Sequence, residues 1–246
     1  MCTLGSVSGR FLFKNRDMGV DDSFREELVR DKRRYAYVGI AGKANEFERG
    51  LNSGINEKGV TAAITYVRGD GVSLGDDIRR TIPRGVIVED IVGNAANLLE
   101  AVELAQWHLN RDVHVGGNIV LADETGIVSI EELEKRFAVE WVADKLFFRS
   151  NHFLNLNQPI DEGDTLQRLT AIVRAFEGKK AEGVDLSHIK KALEYRGDDA
   201  RIYKKLEDKL ASVTVSTVIY DIPARTAHYR YTVDPNAVFQ ELQPSR

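Results

Sequence analysis

The chain has 246 residues, 43% of them hydrophobic and 29% charged, with a formal net charge of −4 and a pI near 5.8. That balance suits a globular protein able to bury a core without covalent staples; it speaks against nucleic acid as a partner, since such binders are usually basic. The single cysteine excludes an intrachain disulfide and points to a reducing, cytoplasmic setting, and neither a membrane span of ~18 apolar residues nor a signal-peptide pattern is present.

In chain order, Thr3 to Val7 and Arg10 to Phe13 flank Ser8-Gly9 and predict a hairpin that begins at the second residue. Residues 18–30 are polar and acidic and predict a loop. Tyr35 to Ile40, Phe47 to Asn52 and Gly59 to Val67 predict strands, with the turn-rich Asn52-Ser53-Gly54-Ile55-Asn56-Glu57-Lys58-Gly59 between the last two. Gly69 to Asp77 is rich in glycine and aspartate but lacks the spacing of a dinucleotide or phosphate loop. Pro83 opens a region where Ile87, Ile91, Leu98, Val102 and Ala105 recur at helical spacing. A break near Gly93-Asn94 divides it into two helices ending near His108.

Asn118 to Ala122 and Gly126 to Ile130 predict a second hairpin. Phe137 to Val142 and Lys145 to Arg149, around Ala143-Asp144, predict a third. Helices over Thr165 to Phe176 and Leu186 to Tyr195 follow. Val213 to Tyr220 and Arg225 to Thr232 close the chain as a hairpin turning at Asp221-Ile222-Pro223. Hairpins dominate, and strands do not alternate regularly with helices. The expected fold is therefore α+β, with two mainly antiparallel sheets packed face to face and each covered by a helical pair. Residues 1–246 read as one domain without linker or repeat.

Cys2 is the candidate nucleophile. With Met1 removed it carries a thiol and a free α-amine on one residue, with reference pKa values of about 8.5 and about 7.7–8.0. The amine can accept the thiol proton near neutral pH and return it to a leaving amine. No histidine is needed for that transfer. Taken alone, Cys2 reads more readily as an incidental residue in a frayed terminus; the segments downstream reverse that.

Four segments, in order, resemble the N-terminal-nucleophile hydrolases of the choloylglycine hydrolase and penicillin acyltransferase type. They are Met1-Cys2-Thr3 with Phe13-Lys14-Asn15-Arg16-Asp17; Gly54-Ile55-Asn56-Glu57-Lys58-Gly59-Val60; Asn118 to Asp123 through Glu131 to Ser150-Asn151-His152-Phe153; and Asp164-Thr165-Leu166-Gln167-Arg168. The order and spacing of these motifs carry the resemblance, since each alone is weak. It implies a four-layer αββα sandwich and hydrolysis, or acyl transfer, of a linear amide through a thioester on Cys2. It implies no cofactor and a small-molecule amide substrate, and leaves homo-oligomer formation open.

The resemblance also implies roles. Asp17 orients the Cys2 amine, Asn151 donates to the oxyanion, and Arg168 holds the site's carboxylate or thiolate. Lys14 matches a position that is usually arginine in the bile-salt enzymes, where its charge lies near the thiolate. Tyr66 stands where that branch has an asparagine completing the oxyanion hole, so its hydroxyl or a backbone N–H would have to substitute. Lys14 and Tyr66 are thus the expected substrate-binding positions.

Blander readings stay open beside these. Asp17 suits a turn that ends a strand, Asn151 a loop that satisfies its own backbone, and Arg168 an ion-paired helix surface. His152 reads as structural. His108, His114, His188 and His228 show no metal-ligand spacing, so no metal is expected. Two other functions also remain: a ligand-binding protein without turnover, and a different chemistry on the same layered architecture, as in the archaeal type of inosine-monophosphate cyclohydrolase.

Overall fold

The computed structural model describes residues 2–20, 26–42, 49–67, 81–156, 163–197, 200–234 and 236–244. Within them, a six-stranded sheet contains β1 (Cys2–Val7), β2 (Phe11–Gly19), β10 (Leu146–Arg149), β11 (Ser212–Asp221), β12 (Thr226–Tyr231) and β13 (Gln240–Leu242), in the order β10-β1-β2-β11-β12-β13. A seven-stranded sheet runs in sequence order. Its strands are β3 (Glu26–Lys32), β4 (Ala36–Gly42), β5 (Leu51–Asn56), β6 (Thr61–Tyr66), β7 (His114–Asp123), β8 (Gly126–Glu134) and β9 (Arg136–Trp141). Every pairing between these strands is antiparallel.

The sheets meet over an apolar layer that includes Leu4, Leu12, Val38, Ile55, Ala63, Val120 and Tyr220. Helices α1 (Gly85–Asn94) and α2 (Leu98–Arg111) bury Ile87, Ile91, Leu98, Val102 and Ala105 against the far face of the seven-stranded sheet. Helices α3 (Asp164–Ala175) and α4 (Leu186–Leu193) bury Ile172, Ile189 and Leu193 against Val7, Phe13 and Ile219 of the other. The order of layers is helix, sheet, sheet, helix, as expected from the hairpin-rich sequence.

Three expectations fail. Residues 18–30 are not a continuous loop, because β2 runs to Gly19 and Glu26–Lys32 pairs with β4 along its length. This is an edge strand, and edge strands carry charge on their exposed side to prevent further pairing; that composition imitates a loop. Of the strand expected over 47–52, residues 47–48 lie outside the described residues; the strand described there spans Leu51–Asn56, so the turn is confined to the residues after Asn56. There Asn56 Oδ1 accepts from Lys58 N and Val60 N, each at 3.0 Å, and Gly59 takes φ +84°.

The third hairpin is two strands that do not pair. β9 adds to β8, whereas β10 adds to β1 in the other sheet. The Ala143-Asp144 turn therefore carries the chain across the sandwich. A turn dipeptide between two runs does not say which sheet receives the second. The expected loop Gly69 to Asp77 lies outside the described residues. No described helix is long and apolar enough to cross a membrane.

Candidate active site

Period-two alternation along β1 and β2 separates two chemistries. Leu12, Lys14 and Arg16 face the space between the sheets, as do Leu4 and Cys2 across the ladder, where Cys2 pairs with Arg16 and Leu4 with Lys14. Phe13, Asn15 and Asp17 face α3 and α4. Asn15 Nδ2 donates to Leu193 O at 2.8 Å and Ile202 O at 3.1 Å, and its Oδ1 accepts from Thr217 Oγ1 at 2.7 Å. Asp17 is therefore a strand residue opposite Thr214, not a turn that ends β2.

Cys2 is 7% exposed at the head of β1. The β1–β10 register, Leu4 opposite Arg149, continues so that Cys2 falls beside Asn151 as β10 ends. Cys2 N donates to Asn151 Oδ1 at 2.6 Å. In the chain with Met1 this nitrogen is the Met1–Cys2 amide; with Met1 removed it is the α-amine. Ser150 Oγ donates to Cys2 O at 3.1 Å.

The 150–152 segment is held from below by Asn118 of β7. Its Nδ2 donates to Thr65 Oγ1 at 2.9 Å, His152 O at 3.1 Å and Ser150 O at 3.3 Å. Asn151 Nδ2 donates to Tyr66 O, at the end of β6. The following turn is fixed by Glu131, which accepts from the backbone N–H groups of Leu154, Asn155 and Leu156 at 2.8, 2.7 and 2.9 Å.

Burial pushes the Cys2 thiol up, but Lys14, the chain's amino terminus and Arg16 together bring it below its ordinary value, against the opposing charge of Asp17. Burial is also the largest effect on Lys14, whose pKa falls to about 8, with Arg16 and Arg84 adding to the fall and the Cys2 thiolate and Glu26 resisting it. The Lys14 ammonium donates to Asn52 Oδ1 and Ile64 O, so its position is fixed by β5 and β6 across the sandwich. Arg16 is paired with the buried Glu26 at 2.6 Å, and Glu26 also accepts from Ser216 Oγ and Tyr229 Oη at 3.0 and 3.1 Å.

On the helix side, Arg168 is fully buried. Its Nη2 donates to Asn151 Oδ1 at 3.2 Å and its Nη1 to Thr3 Oγ1 at 3.4 Å. Nη1 stands 3.6 Å from Asp17 Oδ2, and Nε donates to Asp164 Oδ2 at 3.0 Å. Asp164 and Arg168 are one turn apart on α3, with the carboxylate at the helix's positive end. Lys204 Nζ bonds the same Asp164 oxygen at 2.6 Å and lies 3.9 Å from Asp17 Oδ2. Thr214 Oγ1 donates to Asp17 Oδ1 at 2.8 Å. Burial raises the Asp164 carboxyl, and the two cations outweigh that and hold it below its usual value.

The fold thus gathers Cys2, Lys14, Asp17, Asn151, Arg168 and the Tyr66 carbonyl around one sheet corner. Asn118, which opens the third motif, belongs to the same group, and so do Lys204 and Thr214, which carry no signal in the sequence. They sit in unremarkable strand or irregular stretches and acquire meaning only through the ladder. His152 is buried beside Asn151, and burial, with Arg149 adding to it, pulls its pKa down to about 4. It is neutral at physiological pH. Away from this corner, His108, Asp112 and His114 bring three donor atoms together, against the expectation that the histidines form no ligand group.

No protein-family model and no curated protein matches the sequence. Solved structures do match, over nearly the whole chain. A mutant of the conjugated bile acid hydrolase of Clostridium perfringens aligns at 14% identity with a TM-score of 0.65, covering 99% of this chain and 92% of that one. The chain has the N-terminal-nucleophile hydrolase fold. Penicillin V acylase from Agrobacterium tumefaciens aligns at 12% identity and TM-score 0.60, over 98% of this chain and 86% of that one. The Caenorhabditis elegans ortholog of N-acylethanolamine-hydrolyzing acid amidase aligns at 13% and 0.58, over 90% and 92%. At these identities the likeness is one of fold; the chemistry has to be argued from this chain's own residues.

Proposed function

We propose that this chain is an N-terminal cysteine amidase or acyltransferase acting on linear amides. One observation carries the reading. The buried Cys2 thiol, lowered by Lys14, shares a residue with a nitrogen held 2.6 Å from Asn151 Oδ1. The named activities of the three structures sharing this fold, which act on conjugated bile acids, penicillin V and N-acylethanolamines, support the same reaction class.

The reaction requires Met1, and anything before it, to be absent, so that the Cys2 nitrogen is a basic amine. Cys2 Sγ attacks the amide carbonyl carbon while the thiol proton passes to the amine. The oxyanion takes a hydrogen bond from Asn151 Nδ2, which carries two hydrogens and gives only one to Tyr66 O. The C–N bond breaks, the leaving amine takes the proton from the Cys2 ammonium, and an acyl thioester remains. Water, or an acceptor amine, attacks the thioester and returns a proton to the same nitrogen, and Cys2 leaves as the thiol. Arg168 and Asn151 orient the Cys2 nitrogen, and Asp17 balances Arg168 and Lys204.

The test is a panel of N-acyl amides assayed with the wild-type protein and with Cys2→Ala. Cys2→Ala is expected to reduce turnover to background while preserving the circular dichroism spectrum. Equal turnover by both proteins would remove Cys2 from the mechanism and favour a cyclohydrolase-like chemistry or none.

A further inference from the structure

His114 opens β7 at 1% exposure, yet among the described residues neither of its ring nitrogens has a hydrogen-bond partner. Glu132 Oε1 stands 3.5 Å from His114 Nδ1 without forming one. A buried imidazole left in that state is unfavourable and calls for an ion or a bound water. Two further donors face it. His108 lies in the last turn of α2, Asp112 caps that helix, and their donor atoms lie within 4.8 Å of one another and of His114. They are four residues apart and so share one helix face, at the end where free carbonyls favour a cation.

The surroundings are those of a ligand set. His108 Nε2 lies 2.9 Å from Asp90 Oδ2 on α1. An imidazole that binds a metal commonly gives its other ring N–H to a carboxylate, which fixes the tautomer. With Nε2 engaged in this way, Nδ1 keeps its lone pair. Asp90 is itself held by Asn94 Nδ2 at 2.8 Å and Arg33 Nη1 at 3.2 Å. Glu132 accepts from the backbone His114 N at 3.3 Å, so its carboxylate is held near the His114 ring without bonding it.

We infer that His108, Asp112 and His114 form a binding site for a divalent transition cation, with Zn²⁺ its natural probe. Two imidazoles and one carboxylate suit Zn²⁺ better than Ca²⁺ or Mg²⁺, which prefer oxygen throughout. Tetrahedral ligands at the usual bond length of ~2.1 Å lie about 3.4 Å apart, so side-chain adjustments of about an ångström close the set. The cation would tie the end of α2 to the start of β7, the strand whose Asn118 holds the Asn151 segment. The inference is independent of the Cys2 chemistry.

The test uses the full chain carrying Cys2→Ala, stripped with chelator, so that the thiol cannot compete. Zn²⁺ is titrated against a chromophoric chelator, and Co²⁺ is added separately for its visible spectrum. The expected result is one equivalent bound, a Co²⁺ spectrum of nitrogen and oxygen ligation, and a higher Tm with metal. Asp112→Asn and His114→Gln should each weaken binding at least tenfold, and Asp90→Asn by about 10–100-fold. Should His114→Gln fail to fold, the more exposed Asp112 and Asp90 positions still decide the matter. Absence of stoichiometric binding, or binding that Asp112→Asn leaves unchanged, would overturn the site and leave His108 and His114 as a packed imidazole pair.

Discussion

The two helical layers cover their sheets by different means. Beneath α1 and α2 the contact is aliphatic: Ile87, Val88, Ile91, Val92, Ala101 and Ala105 pack on Leu121, Val128 and Ile130. Beneath α3 the apolar contact is interrupted by a fully buried arginine that reaches Asp17 and Asn151. A helix covering a sheet needs only an apolar stripe to be stable. Placing Arg168 there requires Asp17, Asp164 and Lys204 to balance it, and removing one partner of such a group typically costs ~3–5 kcal/mol. The charged corner coincides with the head of β1, where Cys2 lies. Charge is buried elsewhere too, as at Arg84 and Glu131, but here the less economical packing lies against the Cys2 segment, and that coincidence is the physical argument for a working site.

Three substitutions and one control probe this contrast, the three ordered by their expected effect on turnover. Asn151→Ala should lower kcat by about 10²–10³-fold with little change in KM, because an oxyanion donor acts on charge that develops in the transition state. Steady-state kinetics on an amide substrate decides it. A change confined to KM would place Asn151 in ground-state binding instead.

Asp17→Asn should both destabilise and slow the enzyme. It leaves Arg168 and Lys204 with one fewer anion, so denaturant melts should show a loss on the scale of ~3–5 kcal/mol. Asp17 opposes the cations that lower the Cys2 thiol, so the pH midpoint for alkylation of Cys2 should move down. The matched control is Ile91→Ala in the aliphatic layer, expected to cost ~2–5 kcal/mol while leaving kcat/KM per folded molecule unchanged. Equal effects of the two on turnover would dissolve the distinction between the layers.

Lys14→Met should slow turnover less, but move the thiol further and in the opposite direction, because Lys14 acts on Cys2 more strongly than Asp17 does. The Lys14 ammonium holds the Cys2 thiol down, so removing it moves the alkylation midpoint to higher pH. In the unaltered chain Lys14 titrates at about 8. It is charged below that pH and neutral above it, so kcat/KM should decline on the alkaline side as the thiolate loses its counter-charge. That limb should be absent from Lys14→Met. An alkylation profile unaffected by the substitution would mean that Lys14 serves only to bridge the sheets through Asn52 and Ile64.

How far the sequence goes follows the same division. Helical periodicity marks α1 and α2 because their stripes are uniformly apolar. Alternation and turn residues mark β1, β2, β7 and β8. Cys2, Asp17, Asn151 and Arg168 are visible as motif positions, and the ladder explains why they meet. Thr3, Asp17 and Arg168 share the helix-facing side of the sheet, and Asn151 follows the strand that pairs with β1. Lys204 was not legible, since a lysine between irregular residues looks like any solvated lysine until α3 presents Asp164 to it. β3 was hidden by its edge-strand charges. The separation of β9 from β10 was hidden because local turn chemistry carries no information about sheet membership. The cluster of His108, Asp112 and His114 spans a helix end and a strand start, so no single period exposes it.

Cys2, with its own free amine, is the proposed acylated nucleophile. Intact-mass measurement of active protein, before and during turnover of a slow amide substrate, decides it. The expected result is a resting mass lacking Met1 and a transient gain of one acyl group mapping to Cys2. Full activity in protein that retains Met1, or an acyl group on any residue other than Cys2, would contradict it.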